Sequence, residues 1–190
     1  MVGLKIAMVC IVALADMSGG LPAAVPDPAP VVWEQPTAAP TEAPKVEVPT
    51  QAPAEGFRAY TIHGKTPPVE WQRYLYDELA ARGYEWYMPY AICQIQQESC
   101  WNQYSDNGHD KGLTQQKGIY WDSRATHWGV PGASIWDPYA QLHVYACMMC
   151  QYLDNAGGDV GMALSVYFLG VWEYSELYVG HVMSHLEGLR

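Results

Sequence analysis

Glu98 is the residue whose type and position point most directly to chemistry. It closes a segment from Pro89 to Ser99 in which Ala91, Ile92 and Ile95 recur at the spacing of one helical face. Three residues beyond Ile95, Glu98 continues that face, which puts its carboxyl group at the edge of a core. Burial disfavours the charged form, and a glutamic acid that stays protonated near neutral pH can donate to a leaving group. The spacing alone fits an exposed glutamate at a helix end more readily than a buried acid. Glycosidases of the two-carboxylate kind hold their acids roughly 5–9.5 Å apart. Asp106 and Asp110, in the turn region that follows, are the candidates for a second carboxylate, although acidic residues in turns ordinarily solvate or cap.

Other reactive side chains form weaker patterns. His63, His109, His127 and His143 are scattered, whereas His181 and His185 share a helical face. No Glu lies between those two in the manner of zinc peptidases, so they read as surface histidines, and no metal or cofactor is expected. No glycine-rich phosphate loop is present, and no Ser or Cys nucleophile has an evident His partner.

The elements that must carry Glu98 are helical. Thr66-Pro67-Pro68 opens a helix through Val69, Trp71, Tyr74, Leu75 and Leu79, closed by Gly83. Pro89 opens the Glu98 helix. Asp106 to Gly112 is a polar turn region, and Leu113 to Gln116 is expected as a short strand or hairpin. A third helix is expected from Ile119 to His127, and a fourth from Asp137-Pro138 to Asn155, with Asp137 as N-cap. Asp159 and Ser175 cap two more. The predicted fold is mostly α, a helical bundle around the Glu98 helix with a small β-hairpin insert near residues 102–118.

Several of these segments together resemble a known family. Ala91-Ile92 with Gln97-Glu98-Ser99, then Gly112-Leu113-Thr114-Gln115, then Ala163 to Gly170, and finally Tyr178-Val179 with Val182, look like the lytic transglycosylase domain of the lysozyme superfamily. The resemblance covers about residues 68–190, and its four signatures occur in the family's order. It implies a lysozyme-like α+β fold that cleaves the bond between N-acetylmuramic acid and N-acetylglucosamine in peptidoglycan. Glu98 would be the acid and then the base. Ser99 would position substrate or the helix end, Gln115 would line the groove, Tyr167 would hydrogen-bond near Glu98, and Tyr178 would support the same wall. Two positions depart from the pattern: Thr114 replaces the usual Met, and Phe168 stands where the family has Asn, which removes a polar groove contact. With no second carboxylate, the muramic C6 hydroxyl would attack its own anomeric carbon and leave a 1,6-anhydro end. A lysozyme-type hydrolase, or a module that binds glycan without cutting it, are the alternatives.

Composition sets the compartment and the partners. The 190 residues carry a formal charge of −10 and a pI near 4.8, with no basic stripe, so nucleic acid is not an expected partner. Binding to an anionic wall polymer must then come from groove contacts. The 14 Tyr and 8 Trp against 2 Phe suit sugar faces, although aromatics chiefly serve cores. Residues 1–15 resemble a secretory signal, with Lys5 before an apolar run and Ala13-Leu14-Ala15 at its end. That run is too short for an ordinary membrane span, and the chain touches a membrane only if the segment is retained. Residues 16–56 read as a Pro/Ala-rich tether, and 57–190 as the folded domain, a monomer. Cys10 is a passenger in the leader. Cys93, Cys100, Cys147 and Cys150 form an even set in a chain that looks exported, secreted or periplasmic. Cys93 and Cys100 lie about 10 Å apart along one helix and cannot bridge each other. At least one bridge is therefore expected between the Glu98 helix and the Asp137 helix, involving Cys100, with a four-thiolate zinc site as the competing reading.

Overall fold

The structure, a computed structural model, describes residues 56–190. The expected leader, Cys10 and all but the last residue of the tether lie outside the described residues. Helix α1 spans Val69–Ala80 and α2 spans Met88–Ser99. The two-residue strands β1 (Asp110–Lys111) and β2 (Gln116–Lys117) pair antiparallel, Asp110 opposite Lys117. Four further helices follow: α3 (Trp121–His127), α4 (Pro138–Asn155), α5 (Val160–Leu169) and α6 (Glu176–Ser184). Among the described residues no helix is long and apolar enough to cross a membrane. The mostly helical class with one small hairpin agrees with the expectation.

Local chemistry explains where the elements start and stop. Asp137 caps α4, its carboxylate accepting from the Tyr139 amide at 2.9 Å and the Ala140 amide at 3.4 Å, with Pro138 at the first helical position. Asp159 and Ser175 accept from the amides of Met162 and Tyr178 to cap α5 and α6. Of the strand or hairpin expected at Leu113–Gln116 the hairpin is what forms, with Leu113–Gln115 in its turn, where Gly112 and Gln115 both have positive φ, and Gln116 on β2. One boundary differs from expectation. Helix α3 begins at Trp121, after a 3₁₀ turn at Gly118–Tyr120.

Helix α4 is the spine. Leu142, Tyr145, Ala146, Met149 and Leu153 pack with Leu75 and Leu79 of α1, Ile92 and Ile95 of α2, Leu164 of α5 and Val182 of α6. Its other face, Ala140, Val144 and Met148, holds Trp121 and Ala125 of α3.

The hairpin is locked to this spine by one buried side chain. Gln141 of α4 accepts at Oε1 from the Thr114 amide (2.7 Å) and hydroxyl (3.1 Å) and donates from Nε2 to the carbonyls of Lys111 (3.0 Å) and Ile135 (2.5 Å). A Cβ at Gly112 would run into the Gln141 amide and the Ile135 carbonyl, so glycine is what lets the hairpin approach.

The cysteine expectations need correction. Cys93, Cys147 and Cys150 are free thiols, whereas Cys100 is disulfide-bonded, so no bridge ties α2 to α4, and the four cysteines do not gather into a zinc site among the described residues. Direction explains this. Cys93 points into the core with no exposed surface, Cys100 is an exposed left-handed residue just past the end of α2, and Cys147 faces Arg82, just past the end of α1.

Replacing Gln141 by Leu leaves the Thr114 amide and the Ile135 carbonyl without this partner and removes one of the bonds to the Lys111 carbonyl. A loss of about 3 kcal/mol is expected in urea unfolding, from a desolvation cost of about 1–3 kcal/mol per orphaned group. A loss below about 0.5 kcal/mol, within the range of ordinary surface substitutions, contradicts that role.

Candidate active site

Glu98 occupies the last turn of α2 and is half-buried. Its Oε1 accepts a short hydrogen bond from the hydroxyl of Tyr178, on the first turn of α6. Tyr178 is oriented from behind by Gln94, whose Nε2 donates to the Tyr178 oxygen at 3.2 Å. Gln94 is itself fixed at Oε1 by two buried phenols, Tyr145 at 2.7 Å and Tyr87 at 3.0 Å. With its oxygen occupied as an acceptor, the Tyr178 hydroxyl is left to donate to Glu98. One carboxyl oxygen is thereby engaged, and the other can carry a proton.

Burial pushes the Glu98 carboxyl up to about 7 from an ordinary 4.5; the Tyr178 hydrogen bond pulls the other way, and negative charge on Asp110 adds to the rise. Among the described residues no Lys, Arg or His forms an ion pair with Glu98. At neutral pH the group is therefore a mixture of acid and base, the condition under which one carboxyl can donate a proton and later take one back.

The other sequence-derived candidates fall into two groups. Tyr167 stands close enough to feel the charge of Glu98, but its hydroxyl donates to the Thr114 carbonyl (2.5 Å) and accepts from Gln116 (2.7 Å). Its hydrogen bond holds the hairpin turn and not the acid. Phe168 lies flat on Tyr178, centroids 4.5 Å apart and planes within 5°, and is 54% exposed. It thus adds an apolar face to the Glu98–Tyr178 wall. Ser99 and Gln115 face inward. The Ser99 hydroxyl donates to the Leu113 carbonyl at 2.6 Å, tying the end of α2 to the hairpin turn, and the Gln115 amide donates to the carbonyls of Gly112 and Ser105. Of the two roles implied for Ser99, the helix-end role is the one its contacts fit.

Three buried glutamines were not singled out from the sequence. Gln94 fixes Tyr178, Gln116 joins Tyr167 to Arg124, which donates to it at 2.7 Å, and Gln141 anchors the turn. One signal was available: Gln94 lies four residues before Glu98 and so shares its helical face. A cavity of about 410 Å³ elsewhere is lined by Lys111, Trp121, Asp122 and Trp136 among others, and includes none of Glu98, Tyr167 or Tyr178.

The raised carboxyl has a thermodynamic signature. Between about pH 4.5 and 7 the folded chain holds the Glu98 proton more tightly than the unfolded chain, so stability from this group falls as pH rises through that window. Glu98→Gln has no proton to lose and is expected to gain melting temperature relative to wild type between about pH 5 and pH 8. A difference that is constant across that range contradicts the raised value.

Comparison with protein-family profiles gave no match to this chain, and comparison with curated proteins gave none either.

Proposed function

We propose that residues 57–190 form a lysozyme-like domain that cleaves the glycan strands of peptidoglycan, with Glu98 as general acid and then general base. The observation that carries this reading is a carboxyl group poised near neutrality, held by an oriented tyrosine at the open end of a helix. The ring pair of Phe168 and Tyr178 supports a sugar as the ligand, because flat aromatic faces match the apolar faces of pyranose rings. Trp172 and Tyr174, in the segment joining α5 to α6, are also half-exposed.

In this reading Glu98 gives its proton to the glycosidic oxygen as the bond to the muramic anomeric carbon breaks. The C6 hydroxyl of the same sugar attacks that carbon, and Glu98 recovers a proton from it. The product is a 1,6-anhydro end, and no water is consumed. This domain would be exported and held off a surface by its proline-rich tether.

One observation favours a second reading. Asp110 on β1 is near enough for its charge to act on Glu98, and its side chain is otherwise held by Asn107 at 3.3 Å. Asp110 could then serve as the second carboxylate of a water-using hydrolase.

Digestion of purified peptidoglycan followed by mass spectrometry separates these readings. Glu98→Gln is expected to lose about 10²–10⁴-fold in rate. The transglycosylase reading predicts fragments one water lighter than hydrolysis products, from wild type and from Asp110→Asn alike. Hydrated ends that disappear in Asp110→Asn establish the hydrolase instead. Equal clearance by wild type and Glu98→Gln ends both, and tight binding with no cleavage by wild type leaves a glycan-binding module.

A further inference from the structure

On the seam between α1 and α4, Cys147 is surrounded by groups that the Glu98 site does not use. The guanidinium of Arg82 donates to its sulfur at 3.0 Å, and the Nε2 of His143, one turn earlier on α4, lies 3.8 Å away. Arg82 and His143 are both tied to Glu78 of α1, at 2.7 Å and 3.0 Å. The same Nε2 of His143 lies 2.8 Å from the Trp128 carbonyl, while Nδ1 faces the Glu78 carboxylate. A carboxylate on one ring nitrogen and a carbonyl on the other both require an N–H, so the imidazole carries two protons and a positive charge. Its contacts, with Cys147 first and Glu78 second, push its pKa up to about 10. Two cations and one carboxylate thus surround the thiol, and Asp154 stands further along α4. Positive groups beside a cysteine stabilise negative charge as it develops on the attacking sulfur.

Cys150 completes the arrangement. It follows in Cys147-Met148-Met149-Cys150 and is also a free thiol. Residues three apart on a helix have Cα atoms about 5 Å from each other, inside the range a disulfide spans, but Cβ atoms about 5–6 Å apart, so closing the bridge must draw this turn of α4 out of helical geometry. Both cysteines are nearly buried, at 6% and 5% exposure, while Arg82 and His143 beside Cys147 keep 29% and 20% of their side-chain surface open.

We propose that Cys147 is a peroxide-reactive cysteine and Cys150 its resolving partner. The Cys147 sulfur gives up its proton and attacks one peroxide oxygen; the S–O bond forms, the O–O bond breaks, and the departing hydroxide takes that proton to become water. The Cys150 thiol then attacks the Cys147 sulfur. The S–S bond forms, the S–O bond breaks, and a second water leaves with the thiol proton. Two thiols and one peroxide become one disulfide and two waters, with two electrons passing from the dithiol to the peroxide. The bridge turns the Cys147 sulfur away from Arg82 and so loosens the seam between the end of α1 and α4. This inference is independent of what Glu98 does.

The test treats the full chain, purified without reductant and with both cysteines verified as thiols, with a few equivalents of hydrogen peroxide near neutral pH. Mass mapping is expected to show the peptide holding Cys147 and Cys150 lighter by two hydrogens, reversibly with dithiothreitol, before Cys93 reacts. Cys150→Ser is expected to stop at a dimedone-trappable sulfenic acid on Cys147, and Arg82→Met to slow oxidation on the order of tenfold. Oxidation of Cys147 no faster than that of free cysteine, or no faster than that of fully buried Cys93, overturns the proposal. Because the wild-type map decides by itself, a poorly folding variant does not blunt the test.

Discussion

A carboxyl group carried into a packed interior must find a counter-charge or keep its proton, and Glu98 is built for the second course. Its close partner is the neutral hydroxyl of Tyr178, and the charge that reaches it, from Asp110, has the same sign as its own. An Arg or Lys in place of Tyr178 would pair the carboxylate and drive its pKa down, ending any use as an acid. The rest of the domain can be read as the means of holding that tyrosine in place. Gln94 fills the acceptor side of Tyr178, Tyr87 and Tyr145 fix Gln94, and the α4 core fixes Tyr145.

The same helix α4 organises three sites with different chemistry. Near its start Gln141 clamps the hairpin turn; at its middle Tyr145 backs the Glu98 relay; and on the seam with α1 the Cys147 cluster is held between Arg82 and His143. Each depends on buried polar groups having complete sets of partners, since an unpaired one costs about as much as a whole hydrogen bond contributes. A helix long enough to pass every layer of the core is the economical carrier for such groups.

The helices were legible in the sequence wherever a cap or a proline set a boundary. Asp137-Pro138, Asp159 and Ser175 each begin a helix as expected, because capping is a local interaction written in adjacent residues. The position of Glu98 at the edge of the core followed from periodicity for the same reason. What could not be read was tertiary pairing. Thr114 was noticed as a departure from a family pattern, but its buried contact is with Gln141, 27 residues away. Tyr178 was assigned a supporting place and holds the direct bond to Glu98, while Tyr167 was placed near the acid and bonds to the turn. Cysteine parity suggested an α2–α4 bridge, whereas side-chain direction leaves Cys93, Cys147 and Cys150 as thiols. His143 and Cys147 stand one turn apart on α4, but spacing alone does not single them out, because Glu78 on α1 and Arg82 just beyond it, the groups that give the pair meaning, are distant in the chain.

The central claim, that Glu98 is a poised acid, is tested most directly by following its own carboxyl carbon through a pH titration. With selectively labelled glutamate and Glu98→Gln to assign the resonance, the account predicts a midpoint near 7. A midpoint in the ordinary glutamate range, about 4.3, would contradict it, whatever the rest of the site looks like.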